Sequence, residues 1–435
     1  MESTQSILMT LEKKMGNENI IKDRIEHYKK PYRLHLETTN HCNLHCEHCY
    51  RGSSSAEPHH PTGVLDNILD ESRRLGVKKI TLTGGEILTH PDWKHIISKS
   101  LDSCDNIYFI TNGLLLTKTK LEWLAKQKTI RSVKKWRDTL FRRRPVEIGL
   151  AISLDGLNSN QLVRKNDSGS GVKYTQILEK IALAVKYGLR VTVNTTVTNS
   201  NTAKELPEMY DILSNIGIDR WQIDQAYIAG RLTTSNLRDD NLKFLDDAKS
   251  GYKYIISNYL RSYPKIPDWR LEIVQVFRYD TLFYGFKAAN LTDHPCDYHF
   301  GSLIVEQGDK IRFCPSLREQ ELGQLTTTIE KAYNNEDFND FISKSILDLP
   351  CSNCRYGKLF HGGCRANSLA YTGKTWNADP ICCSLSPFVE KEIVPLLPKK
   401  IKDSFYACLQ DGPRPGEPEH AHSHKKIVIP IKVIN

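Results

Sequence analysis

Between about residues 32 and 230, short apolar stretches alternate with helical patterns, and that rhythm leaves few folds open. Six strands are proposed: around Arg33 to Glu37, Lys79 to Thr83, Ile107 to Thr111, Glu147 to Ser153, Arg190 to Thr196 and Arg220 to Asp224. Strands separated by helices return in parallel through crossovers, so the chain is expected to be α/β. The helix before the fifth strand is the clearest. It places Ile177, Leu178, Ile181 and Val185 on one face and ends at Gly188, a residue suited to a helix stop.

The later strands carry a second signal. In the fourth, Leu150, Ile152 and Leu154 oppose Ala151, Ser153 and Asp155. In the fifth, Val191 and Val193 oppose Thr192, Asn194 and Thr196, and in the sixth Trp221 and Ile223 oppose Gln222 and Asp224. A parallel sheet covered by helices on both faces is apolar on both. One polar face instead points to an open barrel whose lumen receives something polar. The third strand, IYFIT, does not share the alternation.

At 435 residues the chain is too long for a single ordinary core. It has 39% hydrophobic and 26% charged residues, an ordinary soluble balance. The N-terminal segment lacks a signal-peptide core, and no stretch approaches the roughly 18 apolar residues of a membrane span. A cytoplasmic protein with no membrane or nucleic-acid partner is expected. The net charge of +9 is dispersed except at Arg131 to Arg144, read as a solvated face or a contact for phosphate or an acidic peptide.

Twelve cysteines in a chain of this kind point to metal ligation, since the cytosol keeps thiols reduced. Three lie between Cys42 and Cys49 and seven between Cys296 and Cys383, while Cys104 and Cys408 stand apart as expected buried thiols. The run Cys42-Asn43-Leu44-His45-Cys46-Glu47-His48-Cys49 follows the first strand directly. Three thiolates on a four-iron cube leave one iron open to an exogenous molecule. A zinc loop completed by His45 or His48 is the alternative.

CxxxCxxC after the first strand of a βα barrel resembles the defining motif of the radical S-adenosylmethionine (SAM) superfamily. The resemblance implies a partial (β/α)6 barrel, with Cys42, Cys46 and Cys49 holding a 4Fe–4S cluster that binds SAM. Gly84, Gly85 and Glu86 resemble the motif passing the methionine end of SAM, and Asn112 stands in the turn closing the third strand. Ser153 and Asp155 match ribose contacts, Arg164 matches a partner of the SAM carboxylate, and Asn194 is a further match. Reductive cleavage of SAM would give a 5'-deoxyadenosyl radical that takes a hydrogen atom from substrate.

Cys296, Gly308, Cys314, Cys351, Cys354, Cys364 and Cys382 resemble a SPASM domain, a small cysteine-rich extension carrying auxiliary iron–sulfur clusters. Two departures stand out: five residues separate Gly308 from Cys314 where the pattern has four, and Phe360 occupies a cysteine position. The resemblance implies a near cluster on Cys296, Cys314 and Cys364 and a far one on Cys351, Cys354 and Cys382. His361 or Cys383 could complete the far set. One or two auxiliary clusters are expected, and a zinc ribbon on Cys351, Cys354, Cys364 and Cys382 is the alternative.

The expected layout is an N-terminal extension (1–31), a radical SAM core (32–230), a helical linker (231–290), the SPASM-like region (291–390) and a tail (391–435). The tail is read as a loop with His420, His422 and His424, then a strand. The layout is similar to maturases that crosslink aromatic side chains, such as the darobactin and Xye types. It implies a precursor-peptide substrate and a flavodoxin or ferredoxin-type electron donor. The segment before the first strand is short for a leader-binding domain, so peptide capture is expected at the barrel mouth, the linker or the basic run. The alternatives are a radical SAM dehydrogenase or epimerase acting on a small molecule or another peptide, and a non-catalytic iron–sulfur or zinc module.

Overall fold

The computed structural model describes residues 31–412, apart from 139–145, 201–204, 297–300, 309, 319–321, 325–327 and 334–335, together with residue 415. The histidines and strand expected in the tail, and most of the N-terminal extension, lie outside the described residues. So does the end of the basic run, within which Arg131 meets Asp102.

All six expected strands are present: β1 (Arg33–Thr39), β2 (Lys79–Gly84), β3 (Asn106–Thr111), β4 (Glu147–Ser153), β5 (Arg190–Val197) and β6 (Arg220–Gln225). The connecting helices are α1 (Thr62–Leu75), α2 (Trp93–Ser103), α3 (Lys118–Asp138), α4 (Tyr174–Lys186) and α5 (Glu205–Leu213). Helix α4 buries Ile177, Ile181 and Ala184, and Gly188 takes a φ of 69° just beyond it. That left-handed backbone is available to glycine without a Cβ penalty.

Strands β1 to β6 pair in sequence order and in parallel. Beyond β6 the chain departs from the expected helical linker. Helix α6 (Lys243–Tyr259) is followed by β7 (Arg270–Ile273), parallel to β6, and by the short antiparallel β8 (Phe277–Arg278). The segment RLEI is too short to show its period among helical residues, yet Leu271 and Ile273 are fully buried where the sheet offers them a place. On the other side β9 (Ser302–Val305) runs parallel to β1 and leads into β10 (Lys310–Arg312) and β11 (Gly323–Gln324). The six-stranded unit therefore stays open, and the cysteine-rich region is hydrogen-bonded onto it through β9.

Register explains the two faces. Ile152, Val193, Trp221 and Leu271 form one row across β4 to β7, and all four are fully buried. The next row is polar: Ser153 pairs with Asn194, Asn194 with Gln222 and Gln222 with Glu272. The apolar row lies against the helices and anchors the sheet, leaving the polar row to line the lumen.

Candidate active site

The Cys42–Cys49 loop leaves β1 and is pinned from three sides. His45 N–H donates to the Lys165 carbonyl (2.6 Å) and Glu47 N–H to the Val163 carbonyl (2.9 Å). From beneath, Gly85 N–H donates to the Thr39 carbonyl (2.6 Å) and Glu86 N–H to the His41 carbonyl (2.9 Å). A Cβ on Gly85 would stand 2.2 Å from the His41 oxygen, and one on Gly84 2.1 Å from the Thr39 oxygen. Both glycines are thus demanded by contact with the cysteine loop. On the third side, Arg231 Nη1 donates to the Cys46 carbonyl (2.6 Å) and its N–H to the Cys49 carbonyl (2.9 Å). Gly230, at φ 54°, lets that segment approach Tyr50.

The side chains matched to SAM contacts are already engaged with one another. The Glu86 carboxylate is fully buried and accepts from Thr111 Oγ1 (2.9 and 3.0 Å), Asn112 N–H (2.7 Å) and Leu88 N–H (3.2 Å). Burial pushes its pKa up, and those hydrogen bonds oppose the shift. Glu86 thus acts on the site by fixing the Thr111–Asn112 turn. Asn112 in turn donates to Asn43 Oδ1 (2.8 Å) and faces Cys42 Sγ at 3.9 Å.

Asp155 is equally committed. Its Oδ2 pairs with Arg164 Nε (2.5 Å) and His48 Nε2 (3.1 Å), and its Oδ1 accepts from Thr196 N–H (2.8 Å). Burial would raise this carboxyl, but Arg164 and His48 outweigh it and hold the pKa well below the usual range. Arg164 is thereby oriented with Nη1 4.0 Å from Cys46 Sγ. Asn194 Oδ1 is buried without a hydrogen-bond partner on the polar row, and Ser153 is half-buried beside it in register. An orphaned acceptor of this kind is suited to a bound hydroxyl or amide.

The donor set suits an iron–sulfur cluster with SAM. Burial pushes Cys42 up to about 12, with Glu86 adding to the effect, and Cys46 reaches about 12 despite the Arg164 charge. Neighbouring buried thiols become stable thiolates when metal charge compensates them. Among the described residues no three His, Cys, Asp or Glu side chains gather closely enough to hold a single metal ion. A cube distributes its thiolates over separate irons, whereas zinc draws four ligands to about 2.3 Å from one centre.

The second cysteine region separates into two sets. Cys364 lies within electrostatic reach of Cys314 and Cys296. Cys351, Cys354, Cys382 and Cys383 line one small cavity with Phe360 and Asp379; His361 is not part of its wall. Cys104 and Cys408 are buried.

Sequence reasoning missed several supports. His48 serves Asp155, and the Gly230-Arg231 pair caps the loop. Glu205 accepts from Leu157 N–H (2.9 Å) and Ser159 N–H (3.0 Å), fixing the exit of β4. Arg51 pairs with Glu37 (2.5 Å) and Glu306 (3.3 Å), and Glu306 with Arg312 (2.9 Å) and Arg318 (3.0 Å). This buried network joins the first cysteine loop to the hairpin that carries Cys314. Only the Gly-Arg pair after the sixth strand offered a local signal; the other partners are brought together by the sheet.

Comparison with known proteins agrees with this geometry. The Radical SAM superfamily profile matches residues 36–213. The PqqA peptide cyclase of Gluconobacter oxydans is 25% identical over 382 residues, covering 83% of this chain and 92% of that protein. The AdoMet-dependent heme synthase of Methanosarcina barkeri is 24% identical over 374 residues, covering 81% and 96%. Among solved structures, native anSMEcpe with bound AdoMet superposes with a TM-score of 0.63 at 17% identity, covering 86% of this chain and all of that one. Streptococcus suis SuiB bound to its precursor peptide SuiA gives 0.59 at 16% identity, covering 85% and 80%. No described helix is long and apolar enough to cross a membrane. The Radical SAM superfamily profile match runs from β1 to α5, where the cysteine loop, Gly-Gly-Glu turn and polar row stand at successive strands, so residues 36–213 are similar to that superfamily.

Proposed function

We propose that this protein is a peptide maturase that takes a hydrogen atom from a ribosomally made precursor and closes a side-chain crosslink, carbon–carbon or ether, at aromatic residues such as Trp. The supporting relatives are the PqqA peptide cyclases, which align over most of their own length. The observation that carries the reading is the position of Tyr227, just past β6. It is half-buried and packed against the core, and burial together with the nearby Cys364, Asp224 and Cys314 raises its hydroxyl, which supports a lumen adjoining the near cysteine set.

Cys42, Cys46 and Cys49 would hold the first cluster, which with SAM would supply the hydrogen-atom abstraction, and Cys296, Cys314 and Cys364 would hold a near auxiliary cluster able to accept an electron. The chain's own residues position and deprotonate. Arg164, held by Asp155, presents charge beside the cysteine loop, and Ser153, Asn194 and Gln222 offer polar contacts along the lumen. Crosslink closure removes one hydrogen atom and then a proton with an electron. Asp224 Oδ1 or Oδ2 is placed to accept that proton, its carboxyl pushed up to about 6 by burial, where a base works efficiently near neutral pH. A flavodoxin or ferredoxin-type donor in the cytoplasm would reduce the first cluster.

The heme synthase relative favours a second reading, oxidation of a small molecule. Mass spectrometry of Trp-rich precursor peptides after anaerobic incubation with SAM and reductant separates the two. Loss of a hydrogen pair from a peptide supports crosslinking; unchanged peptides alongside an oxidised small molecule refute it.

A further inference from the structure

The cavity beneath helix α9 (Pro380–Phe388), which follows α7 (Glu336–Ser343) and α8 (Arg365–Thr372), poses a question of ligation. Its wall holds four thiols, yet Phe360 offers only carbon on the side where a further ligand would complete the loop Cys351 to Gly362. We infer that Cys383 supplies the missing corner, so that Cys351, Cys354, Cys382 and Cys383 together hold a fully thiolate-ligated 4Fe–4S cluster in this cavity. This rests on reading the second cysteine region as an iron–sulfur unit.

Four observations carry it. First, Cys383 lines the same cavity as Cys351 and Cys354, so it faces that space and not merely its own helix. Second, consecutive helical residues diverge by about 100°, which keeps the Cys382 and Cys383 thiols from crowding one site and suits two corners of a cube. Third, the one carboxylate on the wall is spoken for. Asp379 Oδ1 accepts from Ile381 N–H (2.9 Å) as the helix N-cap, and its Oδ2 accepts from Cys364 N–H (2.7 Å) and Gln275 Nε2 (2.6 Å). Fourth, both thiols stand in the first turn of α9, so the capped helix start carries them to the cavity wall together.

The arrangement gives the two auxiliary sets different characters. The near set has three cysteines, while the far set is closed by protein ligands. Asp379 ties them together, bonding the Cys364 backbone while capping the helix that bears Cys382 and Cys383.

The test uses the full chain with Cys42, Cys46 and Cys49 replaced by Ala, reconstituted anaerobically with iron and sulfide and read by metal analysis and Mössbauer and EPR spectroscopy. Adding Cys383→Ala should remove about four irons and four sulfides per chain or leave a three-iron cluster. Adding Phe360→Cys to that variant should restore the four-iron species, because residue 360 lines the same cavity. A four-iron far cluster unaffected by Cys383→Ala overturns the inference. If the parent triple variant holds zinc or no iron, the underlying reading of the region falls with it. A Cys383→Ala variant that loses the cluster and is not rescued by Phe360→Cys, but is rescued by Cys383→Ser, still assigns the corner to residue 383.

Discussion

The Cys42–Cys49 loop and the cavity around Cys351, Cys354, Cys382 and Cys383 face one chemical problem, gathering thiolates that burial disfavours, and they meet it differently. The first loop is fixed from outside. Backbone groups of 163–165, 84–86 and 230–231 hold it, and paired charges stand behind it. The second set is built from the chain's own short turns and one helix start around a shared cavity. A loop fixed from outside is defined before metal arrives and can leave one iron for a ligand. A cavity walled by thiols depends on the metal to bring its walls together. Damage to the barrel should therefore affect the first site alone, and loss of metal should cost the second region more structure.

The largest expected effect comes from the buried pair behind the first loop. Arg164→Ala removes the guanidinium from the buried Asp155 carboxylate and should cost about 3–5 kcal/mol in stability. SAM affinity should fall by about 10–100-fold, the loss of a charge-assisted contact of roughly 1.5–3 kcal/mol. Iron in the second region should not change. Denaturation curves and SAM titration check both, and equal iron loss from both regions would break the comparison.

Gly230→Ala comes next. The new Cβ would stand 2.3 Å from the Tyr50 carbonyl oxygen, and φ is positive, so the capping segment must move. First-site iron should drop after gel filtration while the second region keeps its own. Glu86→Gln should be milder, about 1–3 kcal/mol, because an amide N–H₂ replaces one acceptor facing Thr111 and Asn112. If Glu86 instead bound ligand directly, SAM affinity would fall with no change in thermal stability.

The smallest effect is in pH dependence, where two carboxyls of the barrel have opposite signs. Asp155 has a depressed pKa, so its contribution is present above the ordinary aspartate value and is lost as pH falls through its lower folded value. Asp224 is raised to about 6, so the native state keeps its proton while the unfolded chain has lost it. Stability should then decline as pH rises from about 4 to about 6. Asp224→Asn should remove that decline, and thermal melts across the window would show it; an unchanged slope would contradict the burial of Asp224.

The sequence carried the parts of this account that repeat locally. Strand alternation exposed the polar row from Ser153 to Gln222, because a period of two sorts residues by face whatever the rest of the chain does. The cysteine spacing marked both metal regions. What stayed hidden was set by sheet register and long-range pairing. That Asp155 and Arg164, both matched to SAM contacts, also hold one another, and that Glu86 holds the next turn, could not be read from spacing. The linker after β6 was expected to be helical, yet it adds β7 and β8, since four residues are too few to display a period. Arg51, Glu37 and Glu306 meet only because β9 pairs with β1.

The central claim is that the Cys42–Cys49 loop supports reductive cleavage of SAM. Anaerobically reconstituted protein, incubated with SAM and a strong reductant, should yield 5'-deoxyadenosine and methionine. Cys42→Ala, Cys46→Ala and Cys49→Ala should each reduce that yield to background while the second region still binds iron. Near-normal 5'-deoxyadenosine from any of the three variants, or none from the fully loaded parent, would contradict the account.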